Sequence, residues 1–173
     1  SSRIGKERVV WRYDPILLND KYTLRYHMKY FHVLCDRLAD YTEKCTISFL
    51  DIYKNIQRRI TPLGIHPLSP EQMKALTGCF SKIAKEHGLY IDTCAENIDL
   101  SEYGVQHGSC IDRHRLERIG NYKLDIERDK NQRAACGCIA SIDLGAYNTC
   151  KNGCVYCYAN FNQTLVGLSL IHI

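Results

Sequence analysis

The stretch SPEQMKALTGCFSKIAKEHGLYIDTC, residues 69–94, decides the fold class because it contains a complete helix followed directly by a strand. Ser69 and Pro70 are typical of a helix start, where serine caps the first turn and proline occupies it. Gly88 is placed to end the helix in a left-handed cap, and residues 89–94 then form a strand. The apolar residues that recur at helical spacing and predict the buried face are Met73, Leu76, Phe80 and Ile83.

Upstream of this unit, strands and helices also alternate. Residues 8–13 and 45–50 are rich in β-branched and aromatic side chains and are predicted to be strands. Asp14-Pro15 is expected to end the first strand, because proline lacks a backbone N–H group. Thr23 is a candidate N-cap for the helix between the strands, and a short helix is expected over residues 51–60. The apolar stripe of the first helix is Leu24, Met28, Phe31, Cys35 and Leu38.

The element order β-α-β-α-β predicts an α/β fold with a parallel sheet. Three strands are too few to close an eight-stranded barrel, so we expect a partial TIM-like parallel barrel, the C-terminal part of a longer one. Residues 1–120, ending in a short helix capped by Asp112, would form this part. Residues 121–160 form a Cys-rich loop segment. Residues 161–173 form a tail interpreted as non-native, because its end resembles translated sequencing-adapter sequence; the alternative is a short C-terminal strand.

Composition limits the class of protein. The chain has 173 residues, of which 45% are hydrophobic, enough for a globular domain with a core. No stretch reaches the ~18 apolar residues of a membrane span, and no signal peptide is visible. Ten cysteines without a secretory signal predict a reducing, cytoplasmic setting in which thiols bind metals. The net charge of +4 comes without a polybasic patch, which leaves nucleic acid open as a partner but does not favour it.

The strongest chemical motif is the C-x3-C-x2-C run of Cys150, Cys154 and Cys157. Three thiolates this close can hold three corners of a [4Fe–4S] cluster and leave one iron without a cysteine ligand. Gly153 suits a loop that folds around a cluster, because such a loop needs a positive φ or a close backbone approach. The spacing, with Tyr156 just before the last cysteine, resembles the cluster loop of radical S-adenosylmethionine enzymes. The alternatives are a structural zinc site, with Cys136 and Cys138 beside Cys154 and Cys157, and free or redox-active thiols.

Polar residues at the predicted strand ends form a second group of candidates, because ligands bind at the carboxyl ends of parallel strands. Arg12 and Asp14 share one face of the first strand, and Glu96 follows the third. These residues could bind a carboxylate or phosphate and transfer protons, or they could form an ion-pair network that closes the barrel mouth. A second ligand set for an auxiliary cluster or zinc ion is Cys94, His107, Cys110, Cys136 and Cys138.

The sequence also resembles a microbial family catalogued as domain of unknown function 1848, over nearly everything from Glu7 to Asn160. The segments that carry the resemblance are Arg8–Pro15, Thr93–Glu96, His107–Asp112, Lys130–Arg133, Cys136–Cys138 and Ser141–Asn160. Members of that family look like radical S-adenosylmethionine proteins in their C-terminal cysteine loop. The resemblance implies a radical-SAM-like fold, a [4Fe–4S] cluster on Cys150, Cys154 and Cys157, and cleavage of S-adenosylmethionine to a 5′-deoxyadenosyl radical.

Two hypotheses about function follow. In the first, the chain is an enzyme with an unknown substrate and an electron donor such as a ferredoxin or flavodoxin, and Arg12, Asp14 and Glu96 contact substrate or cofactor. In the second, Cys136 or Cys138 completes the ligand set of the main site, which becomes a closed, non-catalytic iron–sulfur or zinc site. Coordination discriminates between them, since only the enzyme needs an exchangeable position on the metal.

Overall fold

The computed structural model describes residues 1–142, 144–157 and 159–169. Its strands are β1 (Trp11–Ile16), β2 (Lys44–Phe49), β3 (Tyr90–Cys94) and β4 (Gln106–Gly108). Its α-helices are α1 (Leu24–Leu38), α2 (Lys54–Ile60), α3 (Pro70–Glu86), α4 (Arg113–Gly120) and α5 (Gln163–Ser169). Short 3-10 turns lie at Lys6–Arg8, Ala39–Tyr41, Thr61–Leu63 and Ser101–Tyr103. The prediction of an α/β fold is confirmed.

The sheet is parallel throughout, with its strands in the order β1-β2-β3-β4. The prediction of three strands was one short: β4 pairs with β3 and was missed because Gln106–Gly108 is three residues long and has no apolar pattern. Among the described residues, β1 and β4 are the edges of an open sheet. The structure thus confirms the parallel sheet that the alternating elements predict.

The first strand runs further than the sequence indicates. Residues 8–10 precede β1, which passes through a cis Asp14–Pro15 peptide bond and ends at Ile16. The expectation that Asp14-Pro15 would end this strand was wrong. β1 is an edge strand, and its register with β2 shifts between Tyr13 and Ile16. The strand can therefore contain Pro15, because no inter-strand hydrogen bond requires an N–H group at this position.

The predicted helix caps are confirmed. The Thr23 hydroxyl accepts a hydrogen bond from the Tyr26 N–H group, and the Asp112 carboxylate accepts one from Arg115 N–H. Ser69 forms a capping box with Gln72, in which each side chain accepts from the other residue's backbone N–H. The helix expected over 51–60 begins only at Lys54. These local bonds satisfy N–H groups that the first helical turns leave unpaired.

Helices α1 and α3 pack against each other and cover one face of the sheet, which is apolar. The Phe31 and Phe80 rings stack with centroids 4.0 Å apart, and Tyr13 of β1 meets both rings edge-on. From β2 and β3, Ile47 and Ile91 point into the same core. Burial of these side chains contributes roughly 1.5–3 kcal/mol each, so this layer supplies most of the apolar stabilisation.

The opposite face of the sheet is polar, and much of it is buried. Lys44 and Asp92 form an ion pair with side chains only 2% and 8% exposed, and the Thr46 hydroxyl donates to the same carboxylate at 2.7 Å. Parallel sheets are normally apolar on both faces. A buried polar face is therefore unusual, and it leads along the strands to the carboxyl edge of the sheet.

His27 is buried in α1, which nothing in its sequence spacing indicates. Its Nδ1 accepts a hydrogen bond from the Tyr13 hydroxyl at 2.8 Å, and its Nε2–H donates to the Leu17 carbonyl at 2.8 Å. Burial lowers the pKa of His27, although the Leu17 carbonyl opposes the shift. The ring is therefore held in its neutral form.

We predict that His27 makes the fold sensitive to acid. A histidine whose folded pKa is lowered stabilises the fold fully above its unfolded pKa of about 6.5, and this stability is lost as the pH falls toward the folded value. The urea concentration at the unfolding midpoint of the wild type should therefore decrease as the pH is lowered from about 7.5 to about 5.5. His27→Leu should flatten this dependence, whereas the exposed His66→Ala should not change it. Equal slopes in all three proteins would contradict the prediction.

Gly108 in β4 lies against the buried carboxylate of Asp92, so that a Cβ there would stand 2.8 Å from the Asp92 Cβ. Since Asp92 is held by Lys44 and Thr46, it has no room to move aside. Gly108→Ala should lower the free energy of unfolding by about 1–3 kcal/mol. The matched control is Gly167→Ala in α5, where a Cβ meets nothing within 4 Å. The control should be neutral or slightly stabilising, and chemical denaturation of both variants checks the difference.

Between α4 and α5, the described residues form loops and turns with one isolated bridge, Arg128 to Ile139. Residues 163–169 are helical, so the alternative of a short C-terminal strand was wrong for the part described. The end of the expected tail, residues 170–173, lies outside the described residues. Within the described part of the chain, none of the helices has the length and apolar character needed to cross a membrane.

Candidate functional site

A cavity of about 460 Å³ opens at the carboxyl edge of the sheet. The ends of β1, β2 and β3 form one wall, and the loops after β4 and α4 form the other. The predicted site residues that line it are Arg12, Asp14, Cys94, Glu96, Cys110, Cys136, Cys138 and Tyr156. The structure thus brings together residues that are up to 144 positions apart in the sequence, from Arg12 to Tyr156.

Arg12 and Asp14 form the polar centre of the β1 wall. The Arg12 guanidinium donates two hydrogen bonds to one Asp14 oxygen, at 3.1 and 2.6 Å, and a third to the Cys110 thiol at 2.9 Å. The other Asp14 oxygen accepts from the Ser48 hydroxyl of β2. Burial alone would lower the pKa of Arg12, but its bonds to Asp14 hold it above the usual value. This group presents one permanent cation and one carboxylate to the cavity.

Glu96 lies just after β3 and crosses to the end of β2, where its Oε1 accepts from the Phe49 N–H group at 2.8 Å. Burial raises the pKa of Glu96 to about 7, and the Phe49 bond opposes the shift only in part. A carboxyl group with such a pKa exchanges a proton readily near neutral pH. Glu96 therefore has the properties of a general acid or base.

Cys94 and Cys110 place their sulfur atoms 3.2 Å apart beside Arg12. The Cys110 thiol and the positive charge of Arg12 lower the pKa of Cys94 to about 6, against the effect of burial. The pKa of Cys110 is raised in turn by Cys94, because the pair shares its proton. Of the two sulfurs, that of Cys94 therefore has the greater thiolate character.

Cys136 and Cys138 are buried on the opposite wall and pack with Cys94, Ala95 and Ile111. The Cys138 sulfur accepts a hydrogen bond from the Ile111 N–H group at 3.3 Å. Between the two cysteines, Gly137 approaches the loop after β4 so closely that a Cβ would stand 2.6 Å from the Ser109 hydroxyl oxygen. The next atoms lie 3.7 Å or more away, so a side chain at this position would require only that the Ser109 hydroxyl rotate aside.

The loop of Cys150, Cys154 and Cys157 lies beside the cavity, and Tyr156 lines it. Cys150 and Cys154 are exposed, Cys157 is half-buried, and all three thiols are free. The loop is tied at both ends, since Arg59 of α2 donates to the Cys157 carbonyl at 2.6 Å and Asn160 donates to the Cys150 carbonyl. Gly153 has φ +63° with nothing within 4 Å of its Cβ position, so its role is the left-handed turn between the ligands.

Sequence reasoning missed several residues of this site and included others that do not line the cavity, namely His107, Gly153, Cys150, Cys154 and Cys157. His107, expected in the second ligand set, has its Nδ1 at 3.4 Å from the Thr93 hydroxyl and does not line the cavity. Arg133 lines the cavity and pairs with Asp51, which the sequence does not indicate because 82 positions separate them. Arg59 was missed for the same reason, as only the folded chain brings α2 to the cysteine loop.

A separate group of ligand-type side chains occurs at the amino edge of the sheet. His32, Asp36 and His87 place one ligand atom each within 4.8 Å of one another, and within the described ranges this is the one such group of three or more. Asp36 and His32 are exposed, and the His87 Nε2 lies 2.9 Å from the Asp36 carboxylate. A surface ion pair accounts for this arrangement.

The thiolate character of Cys94 can be measured. In metal-free, reduced protein at about pH 7, iodoacetamide should modify Cys94 much faster than Cys45, because the anion is the nucleophile and burial raises the pKa of Cys45. Arg12→Gln should slow the reaction at Cys94, since it removes the neighbouring cation. Peptide mass spectrometry resolves the sites, and unfolding in urea should equalise the rates. If Arg12→Gln left the rate of iodoacetamide modification at Cys94 unchanged, the positive charge of Arg12 would not be the cause of the lowered pKa.

Comparison with known proteins adds one finding. A family model described as a domain of unknown function, DUF1848, matches residues 1–159. This match confirms the resemblance that the sequence segments indicate. Searches of curated proteins and of solved structures find no match to this chain.

Proposed function

We propose that this chain, which belongs to the DUF1848 family, is an iron–sulfur protein of the radical S-adenosylmethionine type. Cys150, Cys154 and Cys157 would hold a [4Fe–4S] cluster and leave one iron open to S-adenosylmethionine. The observation that carries the proposal is the position of this loop: Tyr156 lines the same cavity as Arg12, Asp14 and Glu96. A cluster bound there would lie next to the polar groups of the carboxyl edge.

The residues present fit such a cluster. The loop offers three free thiols, which are soft donors, and no fourth cysteine follows within its short spacing. Gly153 supplies the reversal of chain direction between two ligands, and Arg59 and Asn160 hold the loop ends through backbone carbonyls. When bound, the cluster supplies an electron for cleavage of the sulfonium, with a ferredoxin or flavodoxin as the proposed donor.

The chain's own residues would bind and orient what enters the cavity. The Arg12 and Asp14 pair presents a cation and a carboxylate side by side, which complements the amino and carboxylate groups of an amino-acid moiety. Glu96 would hold or accept a proton at the carboxyl oxygen that does not face Phe49. Ser48 orients the Asp14 carboxylate from the neighbouring strand. The substrate class stays open between a small molecule, a peptide and a nucleic acid.

The proposal includes the architecture of a partial TIM-like barrel. A partial TIM-like barrel would place strands in sequential parallel order, with helices outside and functional groups inside at the carboxyl ends. The order β1-β2-β3-β4, the two helices on the apolar face and the polar buried opposite face all support this arrangement. In such a barrel, the face with Lys44, Thr46 and Asp92 would be the interior.

The proposal predicts a spectroscopic response to S-adenosylmethionine. In protein reconstituted without oxygen and then reduced, the electron paramagnetic resonance signal should shift when S-adenosylmethionine is added, because the ligand binds the open iron. The triple variant Cys150→Ser, Cys154→Ser, Cys157→Ser should lose the shift. Cys79→Ser, which changes a free cysteine on α3 away from the cavity, is the matched control. If the resonance signal of the wild type did not change when S-adenosylmethionine is added, the proposal of an open iron would be refuted.

A second prediction concerns Arg12. Loss of a charge-assisted hydrogen bond weakens binding by about 1.5–3 kcal/mol, or roughly 10–150-fold. Arg12→Gln should therefore raise the dissociation constant for S-adenosylmethionine by that factor, measured by titration of the same resonance signal. Arg25→Gln, on the exposed face of α1, is the control and should leave the constant unchanged.

The alternative function is a closed, non-catalytic metal site in which Cys136 or Cys138 completes the ligand set of the main loop. The presence of both thiols in the same cavity as Tyr156 favours it. In that case, Cys136→Ser with Cys138→Ser should abolish the metal bound at Cys150, Cys154 and Cys157. With an open cluster, the same variant keeps its response to S-adenosylmethionine.

A further inference from the structure

Four thiols from three distant segments meet on the walls of the cavity. Cys94 ends β3, Cys110 follows β4, and Cys136 and Cys138 come from the loop after α4. They are arranged as two pairs: the Cys94 and Cys110 sulfurs lie 3.2 Å apart, and Cys136 and Cys138 flank Gly137 and are buried in one packed cluster. Contact between Cys94 and the buried Cys136 and Cys138 joins the pairs. The sequence analysis already grouped these cysteines with His107, but their pairing cannot be read from sequence spacing, which spreads them over positions 94–138.

The spacing of the pairs indicates how many metal ions they suit. A tetrahedral zinc ion with Zn–S bonds near 2.3 Å needs all four sulfurs within about 3.8 Å of one another. In the described part of the chain, no three of these thiols lie within 4.8 Å of one another. Cys94 and Cys110 are therefore close to each other, and neither Cys136 nor Cys138 lies within 4.8 Å of both of their sulfurs. A two-iron cluster has this pattern, since each iron takes two protein ligands.

Hydrogen-bond donors already point at two of the sulfurs, one in each pair. Arg12 donates to Cys110 at 2.9 Å, and the Ile111 N–H group donates to Cys138 at 3.3 Å. Such donors stabilise thiolates and tune bound clusters. Burial of a thiolate without a donor or a cation would be costly. The surroundings of the two pairs therefore suit anionic sulfur on both walls.

We propose that Cys94, Cys110, Cys136 and Cys138 form a second, closed metal site that binds a [2Fe–2S] cluster, with Cys94 and Cys110 on one iron and Cys136 and Cys138 on the other. All iron positions are then filled by cysteine, so this site transfers electrons or holds the cavity wall and has no open position for substrate. The inference goes beyond the proposed function and does not rest on it, because it uses none of the residues of the Cys150–Cys157 loop.

The test is reconstitution of the whole chain with iron(II) and sulfide under anaerobic conditions. Cys94→Ser with Cys110→Ser should lower bound iron and sulfide by about two each per chain and keep the response to S-adenosylmethionine. The triple variant at 150, 154 and 157 should show the converse, with about two iron and two sulfide retained and that response lost. Cys79→Ser should match the wild type in both. The two variants therefore test the two proposed clusters separately, and either proposal can be refuted while the other stands.

A measurement on the wild type avoids dependence on variants that fold poorly. Differential alkylation of reconstituted and metal-free protein, followed by peptide mass spectrometry, should show all four thiols protected only after loading with iron and sulfide. Equal labelling in the two samples would overturn the proposal. It would also be overturned by zinc bound at these four thiols without sulfide, by a Cys94–Cys110 disulfide as the stable form under reducing conditions, or by unchanged iron and sulfide in the double variant.

Discussion

The buried ion pair between Lys44 and Asp92 is the interaction on which the arrangement of the site depends. Both groups are almost completely removed from water, so each requires the other, and Thr46 supplies a further hydrogen bond to the carboxylate. The pair joins β2 to β3, and Gly108 of β4 packs directly against the same carboxylate. A slip of one residue between these strands would reverse the side chains that face the cavity. The apolar layer already disfavours such a slip, and this polar contact adds a second requirement for the same register.

From that register follows the position of every strand-borne group in the cavity. Arg12 and Asp14 on β1, Ser48 on β2 and Cys94 on β3 lie on the same face as the ion pair, further toward the carboxyl edge. Glu96 then crosses to the backbone of Phe49 and joins β3 to β2 at the rim. The apolar face with Phe31 and Phe80 supplies stability, whereas the polar face supplies chemistry. This division explains why the sheet departs from the apolar pattern usual in parallel sheets.

The two cysteine sets differ in ways that suit different tasks. The loop of Cys150, Cys154 and Cys157 exposes two of its three cysteines, is tied through the carbonyls of Cys150 and Cys157, and is one ligand short of a closed cluster. The four thiols of Cys94, Cys110, Cys136 and Cys138 are built into the cavity wall with donors aimed at sulfur. The four thiols line the cavity, and the cysteine loop reaches it through Tyr156. If both proposals hold, one centre would act on the ligand and the other would serve as a fixed electron carrier or structural clamp beside it.

The sequence by itself determined the α/β class, the helix caps at Thr23, Ser69 and Asp112, and the cysteine motif, because these depend on local hydrogen bonds, periodicity and short spacing. It also identified Arg12, Asp14 and Glu96 as candidate site residues at the strand ends, since the end of a strand and the alternation along it are local properties. Only the tertiary structure decided the fourth strand, the passage of β1 through Pro15 and the burial of His27. It alone paired Arg133 with Asp51 and Cys94 with Cys110, because contacts between distant segments depend on strand order and register, which spacing along the chain does not encode.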